Sequence, residues 1–448
     1  MKKKNPRSIV SAVLQRVEEG AYSNIALDSA LKSAALSPAD RRLVTRVVYG
    51  TISNIRLIDA LWEQVHADFA QNTDPFMRAT LRAALYQLRF LDRVPAHAVI
   101  KTSVDVIKFK RGMKAAGFCN ALLRKILPIA KGELPSLGDA LKDFAVRESL
   151  SDDLAKLLWD QFGASLAQKI AQSYNETPKN SMRVNLAKVS IDALAKELEA
   201  ERSSLVPAGL LVQRFEQKLK DALSQNLCAV QDEGAQLVSL ALGDFNALVR
   251  AEDGRLSVWD ACAGQGGKAM HLMDIAQSQS LQMQLVCTDL FENKLERLRH
   301  EQKRAFPAQA LYTRAMDLTA GGSISHAPFS GIVLDAPCSG LGVLRRHPEG
   351  KWSKTLDDIH SLAELQKTLL KQVSKHLRVG GILIYAVCTL TKEETTSQIE
   401  SFLQEQPNFK LSPLPPVIAI AKGAPMLQIL PHEYHCDGFF IARLQRES

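Results

Sequence analysis

The sequence predicts a multidomain α and α/β protein, with an all-α N-terminal part, a small α+β unit and a doubly wound α/β domain. Its 448 residues suffice for two to four domains. Apolar residues follow a helical period through the first 150 residues, whereas short β-rich runs alternate with helical segments from about residue 255. Hydrophobic residues (46%) and charged residues (23%) occur in ordinary globular proportions, which excludes wholesale disorder.

The first 150 residues are predicted to form a helical bundle. Asn5 is a helix cap followed by Pro6 at the first helical position, and Ser37-Pro38 repeats this signal. Glycine is sparse, and alternating apolar segments are almost absent. We expect this domain to span residues 1–140. Further helical patterns cover residues 79–91, 99–109 and 118–129.

Positive charge is concentrated in this helical part. Residues 1–150 contain 24 Lys and Arg against 14 Asp and Glu, a net charge of +10, whereas residues 151–448 contain 32 against 34, a net charge of −2. Lys and Arg neutralise phosphates, so the asymmetry favours a polyanion-binding module attached to a near-neutral body. The alternative is a solvated basic surface without a partner.

The sequence also bears on compartment and metal content. No apolar run approaches the ~18–20 residues that cross a bilayer. Lys2, Lys3 and Lys4 are followed by an amphipathic pattern and not by an apolar signal core, so we expect a cytoplasmic protein without a membrane partner. Seven cysteines without a C-x-x-C pair make a disulfide framework or a metal site unexpected.

The remaining chain divides into two predicted parts. Residues 141–240 form the small α+β domain, with helical patterns, a strand at 181–185 and a helix at 191–198. Residues 241–448 form the α/β domain, whose segments between strands are long enough for crossover helices, so its sheet is expected to be mostly parallel. Its predicted strands are 256–259, 284–288, 310–313, 332–334 and 382–386.

A glycine-rich turn and three acids suggest a nucleoside cofactor. The turn follows the first strand and leads into a helix, where backbone N–H groups can contact a ligand. Acids lie near the ends of later strands, where ligands of such folds bind, although each alone could be a helix cap. The candidate cofactor residues are Cys262, Ala263, Gly264, Gln265, Gly266, Gly267, Lys268, Asp289, Asp317 and Asp335.

Two cysteines are candidate catalytic groups. Cys338, in Asp335-Ala336-Pro337-Cys338-Ser339-Gly340, and Cys388, in Val387-Cys388-Thr389, each lie just past a predicted buried strand. A thiol at either position can face the cofactor cleft. The cysteines predicted to be inert and buried are Cys119, Cys228 and Cys287.

With these motifs the whole chain resembles the S-adenosylmethionine-dependent RNA cytosine-5 methyltransferases, the NOP2/Sun-like family. The basic first third resembles the RNA-binding NusB fold in Tyr49-Gly50 and in the stretch from Phe118 to Lys125. The arrangement is that of bacterial 16S rRNA enzymes. The resemblance implies an N-terminal NusB-like bundle, a small α+β domain and a Rossmann-like methyltransferase domain. It also implies a 16S rRNA substrate, with the cytosine at position 967 as target, and a monomer is expected.

The resemblance further implies roles for individual residues. Cys388 is the nucleophile that adds to carbon 6 of the base, and Cys338 assists product release. The loop from Cys262 to Lys268 binds the methionine side of S-adenosylmethionine, Asp289 binds its ribose, and Asp317 lies near its adenine. Asp335 lies at the boundary between cofactor and base and hydrogen-bonds N3 of the cytosine, while Lys268 fixes the substrate or lowers a thiol pKa.

A basic stretch after the first cysteine suggests RNA contacts. Its cations could bind phosphates and its indole could stack on a base that is unpaired or flipped. The alternative is a structural basic loop. The residues concerned are Arg345, Arg346, Lys351 and Trp352.

Other interpretations stay open at this point. A DNA cytosine-5 methyltransferase would use the Pro337-Cys338 pair but has no place for Cys388. A nicotinamide-dependent enzyme is supported only by a loose glycine fingerprint from Gly264 to Ala269. Methylation of another RNA cytosine and a non-catalytic RNA-binding assembly factor are further alternatives.

Overall fold

The structure is a computed structural model that describes residues 5–448, so Lys2, Lys3 and Lys4 lie outside the described residues. In chain order the helices are α1 (Pro6–Glu18), α2 (Ser23–Lys32), α3 (Pro38–Ser53), α4 (Ile55–Glu63), α5 (Phe69–Asn72), α6 (Pro75–Phe90), α7 (Ala96–Ile126), α8 (Ala140–Arg147), α9 (Asp152–Ser173), α10 (Ile191–Leu198), α11 (Gln217–Ser224), α12 (Glu233–Leu240), α13 (Gly267–Ser278), α14 (Glu292–Ala305), α15 (Gly350–Ser353), α16 (Leu356–Ser374), α17 (Thr396–Glu405) and α18 (Pro431–Tyr434). The strands are β1 (Asn180–Val184), β2 (Glu201–Arg202), β3 (Gly209–Val212), β4 (Cys228–Val230), β5 (Leu256–Asp260), β6 (Met283–Asp289), β7 (Ala310–Ala315), β8 (Phe329–Asp335), β9 (Leu377–Val387), β10 (Phe409–Leu411), β11 (Met426–Ile429) and β12 (Phe439–Arg446).

The first compact unit is helical and comprises the described residues up to Thr177 together with residues 344–355. Its helices begin where the sequence predicts caps: the Asn5 side chain accepts a hydrogen bond from the N–H of Arg7, and Ser37 accepts one from Asp40. Apolar residues from α1 to α7 form one continuous core. The prediction of a helical N-terminal domain is confirmed.

This first unit extends beyond the boundary expected at residue 140. Phe144 of α8 packs against Trp159 of α9, with ring centroids 5.4 Å apart. The Arg56 guanidinium of α4 donates to the Leu150 carbonyl at 2.7 Å and pairs with Asp152 at 2.7 Å. Because these contacts join α8 and α9 to α4, helices assigned from sequence to the middle domain belong to the first unit.

The second compact unit comprises residues 178–343 and 356–448. Its smaller sheet is antiparallel, with strand order β2-β3-β1-β4, and has its own apolar core with α10 and α11. The predicted strand at 181–185 and helix at 191–198 correspond to β1 and α10. The short strands β2, β3 and β4 have too few residues to show an alternating pattern.

The larger sheet of the second unit has strand order β10-β12-β9-β8-β5-β6-β7, with β11 paired to β12. Strands β5 to β9, which match the five predicted strands, are parallel, while β12 is antiparallel to its neighbours. One face packs against α12, α13 and α14 and the other against α16 and α17. The predicted α/β fold is confirmed, and the carboxyl ends of β5, β6, β8 and β9 meet at one edge.

None of the helices within the described part of the chain is long and apolar enough to cross a membrane.

Candidate active site

A glycine-rich loop joins β5 to α13. Gly264 and Gly266 have φ angles of 56° and 88°, in the left-handed region that favours glycine. Gly266 is also the cap of α13, and a side-chain carbon at this position would overlap the side chain of Leu298. Glycine therefore lets the loop turn tightly into the helix, whose N-terminus is suited to an anionic or polar ligand group.

Asp289, at the end of β6, holds this loop. Its carboxylate accepts hydrogen bonds from the N–H groups of Gly264 at 2.9 Å and Phe291 at 3.0 Å. The Lys294 ammonium lies 3.3 Å away. The predicted ribose contact of Asp289 stays a prediction, but its carboxylate is fixed at the edge of the sheet where a nucleoside would bind.

Asp317 follows β7 and is exposed. Its carboxylate accepts hydrogen bonds from the N–H of Thr319 at 2.8 Å and from its hydroxyl at 2.7 Å. These hydrogen bonds lower the pKa of Asp317. It caps the short helical turn at 318–320, and its proximity to adenine stays a prediction.

Lys268 and Asp335 form a largely buried ion pair, with 2.5 Å between Nζ and the nearer carboxylate oxygen. Burial favours the neutral amine, but the carboxylates of Asp335 and Asp260 outweigh burial and raise the pKa of Lys268. The ammonium also lies 5.5 Å from the centre of the Phe439 ring. Lys268 therefore carries a positive charge at the end of β8.

Asp260 is a site residue that sequence reasoning did not select. It ends β5 and is 1% exposed, and neither carboxylate oxygen has a hydrogen-bond partner of good geometry. Burial raises the pKa of Asp260 to about 7. The Lys268 ammonium acts in the opposite direction, and the negative charges of Asp335 and Asp289 add to the effect of burial. The position of Asp260 immediately before the glycine-rich loop is the sequence feature that could have identified it.

The cluster fits a cationic nucleoside cofactor. Three carboxylates, those of Asp260, Asp289 and Asp335, lie at strand ends on the same edge of the sheet. S-adenosylmethionine carries positive charge on its sulfur and its amino group, and these charges would suit a site lined by carboxylates. Within residues 5–448, no group of three or more His, Cys, Asp or Glu side chains could hold a metal ion.

The structure brings Cys338 and Cys388 together. Their loops follow β8 and β9, which pair in parallel with Asp335 opposite Ala386. The two sulfur atoms are 3.4 Å apart. The N–H of Gly342 donates to the Cys388 carbonyl at 2.9 Å, and a side chain on Gly342 would overlap the backbone of Gly438. Both loops are therefore fixed by backbone contacts.

The surroundings of Cys338 favour its protonated form. Its hydrogen bond to Cys388 and its burial raise the pKa of Cys338, and the carboxylates of Glu394 and Asp335 add to this effect. Burial likewise raises the pKa of Cys262 in the cofactor loop. The prediction that Cys119, Cys228 and Cys287 are buried is confirmed.

The predicted RNA contact of Lys351 is wrong. This residue belongs to the first unit and is 0% exposed. Its ammonium donates to the carbonyls of Ser53 at 3.0 Å and Glu148 at 3.3 Å and to the Asn175 amide oxygen at 2.7 Å. The Lys351 nitrogen is thus surrounded by acceptors inside the protein and is not available to a phosphate.

The other residues of that basic stretch differ in exposure. Arg345 is buried, with 6% of its surface exposed, so its predicted phosphate contact is also wrong. Arg346 and Trp352 are half-buried, and the Trp352 indole N–H donates to the Ile52 carbonyl at 3.3 Å. The alternative of a structural basic loop therefore describes Arg345 and Lys351, while RNA contacts of Arg346 and Trp352 stay predictions.

A more accessible basic surface lies on α7, which is interrupted at Gly112. Phe109 is 85% exposed and Met113 is 68% exposed. Exposed aromatic and cationic side chains together suit single-stranded nucleic acid. The exposed cations beside them are Lys108, Lys110, Arg111 and Lys114.

The parallel sheet covered on both faces, the glycine-rich loop after β5 and the acids at the strand ends define a Rossmann-like methyltransferase domain. The family described as 16S rRNA methyltransferase RsmB/F matches residues 247–445, and the NusB family matches residues 4–128.

Relatives match over the full length of the chain. "Probable ribosomal RNA small subunit methyltransferase B" of Bacillus subtilis (strain 168) is 31% identical over all of both chains. The protein of the same name from Synechocystis is 32% identical over 95% of each chain. The crystal structure of PH0851 shares the fold over 99% of both chains, with a TM-score of 0.79 and 23% identity.

The chain therefore belongs to the RsmB/F family of 16S rRNA methyltransferases. It is an enzyme that uses S-adenosyl-L-methionine to methylate small-subunit ribosomal RNA, with a NusB domain at its N-terminus.

Proposed function

We propose that this enzyme methylates carbon 5 of a cytosine in 16S rRNA through a covalent bond between Cys388 and carbon 6 of the base. The observation that carries the proposal is the pair of thiols, 3.4 Å apart, at the ends of adjacent strands. An enzyme that methylates an oxygen or nitrogen needs no such pair. The family resemblance implies that the target is the cytosine at position 967.

Nucleophilic addition is the first step. The Cys388 thiolate forms a bond to carbon 6, and the displaced electron pair makes carbon 5 nucleophilic. The Asp335 carboxylate accepts a hydrogen bond from N3 of the base in its protonated or protonating form, as charge develops there. Burial lowers the pKa of Lys268, but Asp335 and Asp260 raise it more strongly. The resulting ammonium would stabilise a Cys388 thiolate.

Product release is assigned to Cys338. S-adenosylmethionine held by the loop from Cys262 to Lys268 would supply a methyl group on a positively charged sulfur. Carbon 5 would bond to that methyl as the sulfur–methyl bond breaks and S-adenosylhomocysteine is left. A water positioned by Cys338, or the Cys338 thiolate once its own proton has passed to water, then accepts the proton from carbon 5. The carbon 5–carbon 6 double bond forms again, and Cys388 leaves as a thiolate.

RNA docking is assigned to the first unit. The net charge of +10 over residues 1–150 supports a polyanion partner. The exposed cations of α7 bind the phosphate backbone of the RNA, and Phe109 provides a stacking surface for an unpaired base.

Matched cysteine variants test the covalent mechanism. Wild type, Cys338→Ala and Cys388→Ala are incubated with 16S rRNA fragments and S-adenosylmethionine and separated on a denaturing gel. Cys338→Ala is expected to accumulate a protein–RNA adduct that resists denaturation, because attack proceeds and release does not. Cys388→Ala is expected to form no adduct and no methylated product. Cys228→Ala, with its thiol in the smaller sheet, is the control.

The reverse pattern would assign the nucleophile to Cys338. The absence of methylation and of adducts in wild type and in every variant would favour a non-catalytic RNA-binding factor.

A further inference from the structure

Glu394 is a fully buried carboxylate close to the two cysteines. It is 0% exposed and lies on a short helical turn at 392–394, after the Cys388 loop. Its first oxygen accepts hydrogen bonds from the Ser339 N–H at 2.8 Å and the Gln366 amide at 3.0 Å. Its second oxygen accepts from the hydroxyls of Ser339 at 2.5 Å, Thr391 at 2.9 Å and Thr389 at 3.1 Å. These five donors are all uncharged.

The donors come from both cysteine loops. Ser339 follows Cys338 directly, and Thr389 follows Cys388 directly. The hydroxyls of Ser339 and Thr389 are also 2.7 Å apart. One carboxylate thus joins the residue after each cysteine.

A helix supports the same arrangement from behind. Gln366 of α16 uses its amide to donate both to Glu394 and to the Pro337 carbonyl, the latter at 2.9 Å. The Tyr385 hydroxyl of β9 lies 2.7 Å from the Glu394 carbonyl oxygen. A buried network in which every member has a partner is rigid, and removal of one member leaves the others unsatisfied.

We propose that Glu394 is a positioning residue that fixes the two cysteine loops against each other and prevents Cys338 from competing with Cys388 as the nucleophile. This inference rests on the proposed roles of the two cysteines. The geometry supports the positioning role. The hydrogen bonds that Glu394 accepts from Ser339 and Thr389, called the clamp below, hold the two cysteine loops together, and the sulfur atoms are 3.4 Å apart. The second part of the proposal follows from the contacts of Glu394 with the N–H and the hydroxyl of Ser339, the residue directly after Cys338. These contacts place the carboxylate beside the Cys338 loop, where its negative charge stabilises the protonated form of the thiol.

Alkylation of the two cysteines tests the effect of the charge without RNA or cofactor. The full-length protein is treated with iodoacetamide over a series of pH values, and modification of Cys338 and Cys388 is quantified by peptide mass spectrometry. In Glu394→Gln the profile of Cys338 is expected to move to lower pH, and its rate at a fixed pH is expected to rise at least about threefold. Glu400→Gln, which removes an exposed carboxylate of α17, is the matched control and is expected to follow wild type.

A folded Glu394→Gln protein with both cysteine profiles unchanged would overturn the proposal. Ser339→Ala keeps the carboxylate and removes one hydroxyl of the clamp, so it remains informative if Glu394→Gln does not fold. The yield of a Cys338–Cys388 cross-link with a short bifunctional thiol reagent is expected to fall at least about twofold in Ser339→Ala. An unchanged yield would contradict the clamp.

The alkylation result and the adduct result are separable. If Cys338 reactivity changes as expected but no adduct forms with RNA, Glu394 controls the thiols and the proposed covalent mechanism is wrong. If adducts form as expected but Cys338 reactivity is unchanged, the mechanism stands and the role of Glu394 is wrong.

Discussion

Lys351 illustrates at the scale of a single residue what burial does to a charge. Its ammonium is surrounded by three neutral oxygen acceptors from separate parts of the first unit. Burial lowers the pKa of Lys351 to about 7, although Glu148 opposes this shift. The folded protein therefore releases this proton near neutral pH, whereas the unfolded chain retains it up to the ordinary lysine range.

This difference predicts a pH dependence of stability. Between pH 7 and about 10.5, unfolding takes up a proton, so the free energy of unfolding rises with pH by at most ~1.4 kcal/mol per unit. Lys351→Met lacks this contribution. Urea unfolding followed by tryptophan fluorescence measures it, because Trp62, Trp159 and Trp352 all belong to the first unit. Between pH 7.5 and 9.5, the free energy of unfolding should rise less steeply with pH in Lys351→Met than in wild type. Lys114→Met, which changes an exposed lysine, is the control and should follow wild type. Equal slopes in all three proteins would contradict the lowered pKa of Lys351.

Candidate site residues could be predicted where the motif lies within one stretch of sequence, whereas the burial of Lys351 and Arg345 could not be predicted. The two cysteines and the loop from Cys262 to Lys268 could be selected because the reacting group and its strand lie in one stretch of sequence. The environment of Lys351 depends on Ser53, Glu148 and Asn175, which are distant in the chain. A cation in a polar stretch has the same sequence pattern whether it faces a phosphate or a buried carbonyl.

At the scale of the element, the junction of β5 and α13 depends on Gly266. Its φ angle of 88° and the close approach of Leu298 each exclude a side chain. The parallel strands β5, β6, β8 and β9 around this junction could be predicted because buried central strands are continuous apolar runs. β10, β11 and β12 were not predicted because their pairing is antiparallel and follows irregular connections at the end of the chain.

Gly266→Ala should weaken cofactor binding by about tenfold or more, which corresponds to ~1.4 kcal/mol, because the loop must shift away from Leu298. Calorimetric titration with S-adenosylmethionine measures the dissociation constant. Gly254→Ala is the matched control, since Gly254 also has a positive φ (78°) but no atom lies within 4 Å of a side chain built there. Equal affinities of the two variants would contradict the assigned role of the junction.

The whole molecule combines two compact units with different compositions. The basic helical residues precede a larger α/β unit that provides the cofactor site and both candidate catalytic cysteines. The fold of each part could be predicted from its apolar period. The extent of the first unit could not, since α8, α9 and residues 344–355 join it through contacts between segments far apart in sequence.

In the proposed mechanism, Cys388 enables methylation of carbon 5 of a 16S rRNA cytosine. Unmethylated 16S rRNA is incubated with S-adenosylmethionine and either wild type or Cys388→Ala, and 5-methylcytosine is then mapped by bisulfite sequencing. We predict a single protected cytosine with wild type and none with the variant. Methylation at another atom or base, or equal protection with Cys388→Ala, would contradict the account.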